Sequence, residues 1–139
     1  MHKLAIAVLL LIFSHGAIAS APLRPWCGHS FREATSLSAI PLRIREQLHV
    51  NAPGLAGVAD KGKPFNDSDV GPDSLPMRRL LGVGQAGNSW LVALEHGGDG
   101  YKIDVYLFSG NVQRHRWFLP SRPTTLQAVL QQVPCWSGG

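Results

Sequence analysis

Charge is scarce in this sequence: 16% of the residues are Asp, Glu, Lys or Arg, against 45% hydrophobic. That balance excludes a disordered chain, which lacks the apolar matter to order itself. Basic residues do not cluster either. The densest patch is Arg114-His115-Arg116, too small to neutralise a row of phosphates, so nucleic acid is not expected as a partner. Long apolar runs are absent but for one, residues 4–13, and those ten residues fall well short of the ~20 needed to cross a bilayer. His2 and Lys3 precede the run, and Ala17-Ile18-Ala19 follows it with the small-x-small pattern that a signal peptidase reads. The sequence therefore predicts an export signal over residues 1–19, cleaved after Ala19, with no membrane anchor. Residues 20–139 are then read as one α+β domain. Without Lys3 the 12 remaining Lys and Arg face 9 acids, a net charge of +3.

Cysteine is scarce too, and the two that exist, Cys27 and Cys135, lie near opposite ends of the mature chain. In an exported protein this favours one disulfide between them. Closing so long a loop is worth roughly 4 to 5 kcal/mol in the chain-entropy description. Paired sulfurs would leave no thiol for nucleophilic catalysis or for a metal. Two free buried cysteines are the alternative.

Ser30-Phe31-Arg32-Glu33 has the Ser-x-x-Glu form of a capping box, with Ala34, Leu37 and Ile40 following at helical spacing, so a short helix over about 31–38 is expected. Pro41 interrupts it. Residues 42–48 suit a helix starting at that proline, or a strand with Leu42 and Ile44 facing in; the helix is preferred. Residues 51–76 are rich in Gly and Pro, and Asn66-Asp67-Ser68-Asp69 offers Asx turns, so a loop is expected. Four apolar-alternating runs then follow, at 78–84, 89–96, 101–108 and 112–119, separated by turn residues. They predict a four-stranded antiparallel meander.

A four-residue turn at 97–100 pairs Leu94 with Ile103, Val92 with Val105, Trp90 with Leu107 and Glu95 with Lys102. A three-residue turn at 109–111 pairs Ile103 with Trp117, Asp104 with Arg116 and Tyr106 with Arg114. Both choices set chemically compatible residues opposite one another, apolar with apolar and acid with base. Carried back through 85–88, the register sets Val83 beside Trp90, Leu81 beside Val92 and Arg78 beside Glu95. One face then holds Leu81, Val83, Trp90, Val92, Leu94, Ile103, Val105, Leu107 and Trp117 as the core. The other holds Arg78, Glu95, Lys102, Asp104, Tyr106, Phe108, Arg114, Arg116 and Phe118. The tail supplies a cover: Thr124-x-x-Gln127 is a capping box, and Leu126, Val129, Leu130 and Val133 recur at i, i+3, i+4 and i+7. The expected class is α+β, with the C-terminal helix and the short N-terminal helix packed on one face of the sheet.

Catalytic signatures are not found. His29, His49, His96 and His115 lie at no metal-binding spacing, and no GxSxG or HExxH occurs. Asp67, Asp69 and Asp73 hint at a bound ion but lack the glycine and distal glutamate of an EF-hand loop. Gly82-x-Gly84 and Gly97-Gly98-x-Gly100 precede no helix, so no phosphate cradle is read. Glu95, His96 and Asp99 gather at one hairpin tip, the one arrangement able to imitate an acid/base site. No metal, cofactor or catalytic residue is expected, and the chain is read as a binding protein rather than an enzyme. Glu95, His96, Asp99, Lys102, Tyr106, Arg114 and Arg116 are the expected contacts to a protein partner, because aromatic and Arg side chains dominate interface energetics. A small hydrolase built on Glu95, His96 and Asp99 is the alternative. So is an envelope-assembly subunit or homodimer paired through the free edges of the first and fourth strands.

The runs Lys63-Pro64-Phe65-Asn66-Asp67-Ser68-Asp69-Val70, Leu75-Pro76-Met77-Arg78-Arg79 and Trp90-Leu91-Val92-Ala93-Leu94-Glu95-His96-Gly97-Gly98-Asp99-Gly100-Tyr101 resemble small exported proteins of Gram-negative bacteria. In size, signal peptide and terminal cysteines the chain is similar to the periplasmic immunity proteins of type VI secretion. That resemblance implies a periplasmic location and, as partner, a peptidoglycan-degrading effector whose active-site groove a rigid sheet or hairpin tip would plug.

Overall fold

The structure, a computed structural model, describes residues 22–136; the predicted export signal lies outside them. The chain runs from β1 (Arg32–Ala34) through a 3-10 turn (Leu37–Ala39) to α1 (Leu42–Gln47). A second 3-10 turn (Gly54–Ala56) leads to β2 (Val58–Ala59). The four long strands β3 (Arg78–Ala86), β4 (Ser89–His96), β5 (Lys102–Ser109) and β6 (Val112–Leu119) follow, then α2 (Leu126–Leu130). The sheet order is β1-β3-β4-β5-β6, and β2 pairs in parallel with the other end of β3. The class is α+β. The sheet has six strands, not four, because both short N-terminal strands use the edge of β3 that the meander leaves open.

No helix forms over 31–38. Phe31 is buried against Trp26, and Ala34 packs on the opposite side of the sheet, so the segment follows strand alternation. The helical turn comes later, where Ser36 Oγ accepts from Ser38 N and caps Leu37–Ala39. Residues 42–48 do begin as a helix after Pro41, as expected.

Strand positions agree closely with the sequence reading; pairing does not. The β4–β5 turn holds five residues rather than four, since Tyr101 stays in it, and the partners become Glu95 with Ile103, Ala93 with Val105 and Val92 with Tyr106. The turns at 87–88 and 110–111 are two residues long. Val83 lies beside Val92, Arg79 beside Glu95, Tyr106 beside Arg116, Asp104 beside Phe118 and Ile103 beside Leu119. Irregularities at Leu80/Gly82 and at Leu107/Phe108 shift the register further.

A one-residue slip moves every side chain to the other face. Here both faces are covered. Leu81, Leu91, Ala93, Ile103, Val105 and Leu107 meet Leu126, Val129, Leu130 and Val133 together with Leu23, Trp26 and Phe31. Leu80, Val83, Val92, Leu94, Tyr106 and Phe108 meet Ile40, Ile44, Leu48 and Val50. The helices thus pack on opposite faces, not on one. Gly84 allows the close approach of Phe31: a Cβ there would lie 3.0 Å from Phe31 Cδ1. At ~1.5 to 3 kcal/mol per buried aliphatic side chain, the apolar residues of α2 hold it on the sheet. Its cap is Thr125, whose side chain accepts from Ala128 N, while Gln127 turns away to accept from Arg24 N at 2.7 Å. Cys27 and Cys135 are bonded as expected, their Cα atoms 5.3 Å apart.

Candidate functional site

The turn 97–101 is the end of the sheet on which chemistry gathers. Loop 62–77 folds back against it, and the two are stitched through the backbone. Gly97 N donates to Met77 O (2.8 Å) across the joint, while within the loop Asn66 N donates to Pro76 O (2.8 Å) and the buried Asn66 side chain to Pro72 O (2.9 Å). No side chain fits at Gly97, where a Cβ would stand 1.9 Å from Asn66 O and 2.7 Å from Asp67 Cα. Asp67, Asp69 and Asp99 are exposed on the outside of this joint. The carboxyl groups of Asp69 and Asp99 lie close enough to share a proton, and that contact with the neighbouring charge raises the Asp69 pKa.

Behind the tip, Glu95 is the centre of a polar joint. Arg79 Nε donates to Glu95 Oε2 (2.6 Å) and Tyr101 Oη donates to Glu95 Oε1 (2.9 Å). Arg79 lies over the Phe65 ring at 4.2 Å, and Arg122 over the Tyr101 ring at 4.3 Å. Burial, then the bond to Glu95, pushes the Tyr101 hydroxyl up to about 12. Depressions of about 240 and 250 Å³ flank the Arg79–Glu95 pair, bordered by Lys61, Phe65, Arg122 and Thr124. With both oxygens engaged and its side chain only 15% exposed, Glu95 is a poor proton acceptor for a substrate. The arrangement clamps two strands and two loops together.

The expected contact residues do not form one surface. His96 follows Glu95 along the strand and so points to the opposite face; its Nδ1 lies 2.8 Å from Gly97 O. Glu95 is held by Arg79 and Tyr101 while Asp99 is exposed in the turn, so Glu95, His96 and Asp99 do not form an acid/base site. Tyr106 is buried under α1, with Arg116 over its ring at 4.9 Å, and burial followed by the Asp104 charge raises its pKa. Arg114 is exposed at the far end of the sheet, beside Trp26 and Trp136. Lys102 and Arg116 do come together, each over the Phe118 ring, at 5.1 and 4.6 Å, and Phe118 is 55% exposed. Beneath them Asp104 is fully buried, with Arg116 Nη2 3.2 Å from its Oδ2 but off the hydrogen-bonding direction, so both oxygens lack a donor.

Arg79, Tyr101 and Arg122 were not singled out by the sequence, and Asn66 was read only as a turn residue. The available signal was Tyr101 directly after a glycine-rich turn, where an aromatic can leave the strand and fold onto it. Among the described residues, no group of three or more His, Cys, Asp or Glu is placed to hold a metal, and no helix is long and apolar enough to cross a membrane. No protein-family model matches the chain, and no curated protein or solved structure matches it.

Proposed function

We propose that the chain is a periplasmic binding protein that inhibits a partner enzyme, an immunity protein against a peptidoglycan-degrading effector. The observation that supports this is the seated tip: Gly97 N donates to Met77 O, and the backbone of Asn66 and Asp67 packs against Gly97 with no room for a side chain. A pre-ordered loop loses little entropy on insertion into a cleft. Phe118, ringed by Lys102 and Arg116, lies at the same end of the sheet and suits an aromatic anchor within a polar rim. Contact therefore falls on Asp69, Asp99, Lys102, Arg116 and Phe118, with Tyr106 supporting from below. Pairing of two copies through β6 is a weaker reading, because the strand carries Arg114, Arg116 and a bulge, features that blunt edge association.

The test is co-purification from periplasm with the product of the adjacent open reading frame, followed by titration of that product's cell-wall hydrolysis. Inhibition at a one-to-one ratio is expected. Replacing Phe118 by Ala or Asp99 by Lys should weaken inhibition at least tenfold without shifting the thermal midpoint. Undiminished inhibition by both variants, or no bound partner and no protection of cells, would refute the reading.

A further inference from the structure

A pocket lies at the opposite end of the sheet from the tip, where β4 begins and β5 ends. About 110 Å³ in volume, it is lined by Trp26, Phe31, Leu107 and Trp136, with Ser89, Ser109, His29 and Arg114 among its other walls. Its two tryptophans adjoin the bonded cysteines Cys27 and Cys135 in sequence. Trp26 is fixed from behind, its Nε1–H donating to Val133 O at 3.0 Å. An apolar hollow with a few convergent polar groups has the make-up of a ligand site, and at about 110 Å³ it is smaller than most, with room for one side chain rather than a whole ligand.

The charge of its walls selects the ligand. No acidic residue lines the pocket among the described residues, whereas Arg114, exposed and forked, is suited to a planar carboxylate, and His29 adds a second donor. A ligand with a positive charge would meet Arg114 and no counter-ion. A free amino acid carries such a charge on its amine; the last residue of a peptide does not. We propose that this pocket binds the C-terminal residue of a peptide or protein chain, an apolar side chain between the tryptophan walls and the terminal carboxylate at Arg114. The site is independent of the tip and of the inhibitory role argued above.

N-acetyl-L-leucine is the probe, titrated against the full disulfide-bonded chain by tryptophan fluorescence and by the indole N–H signals of Trp26 and Trp136 in NMR. It should bind at least tenfold more tightly than N-acetyl-L-leucinamide, which lacks the carboxylate, and more tightly than free L-leucine, which adds an ammonium. Arg114→Gln, a change at an exposed residue, should reduce the acid-to-amide ratio to near one, and Trp136→Ala should weaken both. Equal binding of acid and amide to the unaltered chain overturns the proposal, as does an indole spectrum unmoved by the acid. Free leucine binding as tightly as the acetylated form overturns the chain-terminus assignment.

Discussion

Tyr101 shows how one side chain ties the site to pH. Its hydroxyl donates to Glu95, and burial with that bond raises its pKa to about 12, from the ordinary 10.0. A group whose pKa is raised on folding contributes stability in full below its unfolded value and loses it as pH climbs through the folded value. The fold should therefore weaken between pH 10 and 12, as the phenolate is favoured in the unfolded chain. Urea midpoints measured from pH 8 to 12 should fall more steeply for the natural chain than for Tyr101→Phe; parallel curves would show that the hydroxyl plays no part. Asp104 is a different case. Its partner Arg116 is 40% exposed, so solvent screens the pair, and the buried carboxylate is retained with attraction but without directed hydrogen bonds.

The four long strands were legible because Gly, Asn and Asp mark the ends of alternating runs, and the C-terminal helix because its apolar residues keep a 3.6 period. Register was not legible, since it depended on three turn lengths and two bulges: Tyr101 stays in the β4–β5 turn, the turns at 87–88 and 110–111 are shorter than the composition suggested, and the ladders slip at Leu80/Gly82 and Leu107/Phe108. One sign was present: Val105-Tyr106-Leu107-Phe108 is apolar at every position, the pattern of a strand covered on both faces, and Ile44, Leu48 and Val50 needed a face to cover. The tip joint was invisible for a similar reason, since backbone contacts such as Gly97 N to Met77 O leave no mark on composition. Gly97 itself makes a prediction. In Gly97→Ala the added Cβ meets the backbone of Asn66 and Asp67, which cannot rotate away, and such overpacking costs about 1 to 3 kcal/mol. Chemical denaturation should show that loss, and limited proteolysis should show faster cleavage within residues 62–77. An unchanged midpoint with unchanged cleavage would mean that loop and tip move together as one flexible unit.

At the scale of the whole molecule, the sheet separates two apolar layers that depend differently on the chain ends. The layer under α1 is built from residues between Leu37 and Phe108, whereas the layer under α2 joins Leu23, Trp26 and Phe31 to Leu126, Val129, Leu130 and Val133. The disulfide, with a sequence separation of 108, closes the second layer alone. The bonds from Trp26 Nε1 to Val133 O and from Arg24 N to Gln127 Oε1 span the same seam. Removing the cross-link should cost up to roughly 4 to 5 kcal/mol of global stability in the chain-entropy description, but its local effect should be uneven. In a Cys27→Ser, Cys135→Ser chain, the amides of Val129 and Leu130 should exchange through local opening of α2, well ahead of those of Val92 and Leu94, which should follow global unfolding. Native-state hydrogen exchange resolves the two classes. If all four amides accelerate by the same factor, the layers unfold as one cooperative unit and the seam has no separate existence. If α2 alone is loosened, the fold is completed only under oxidising conditions, because only there does the bond that holds this seam persist.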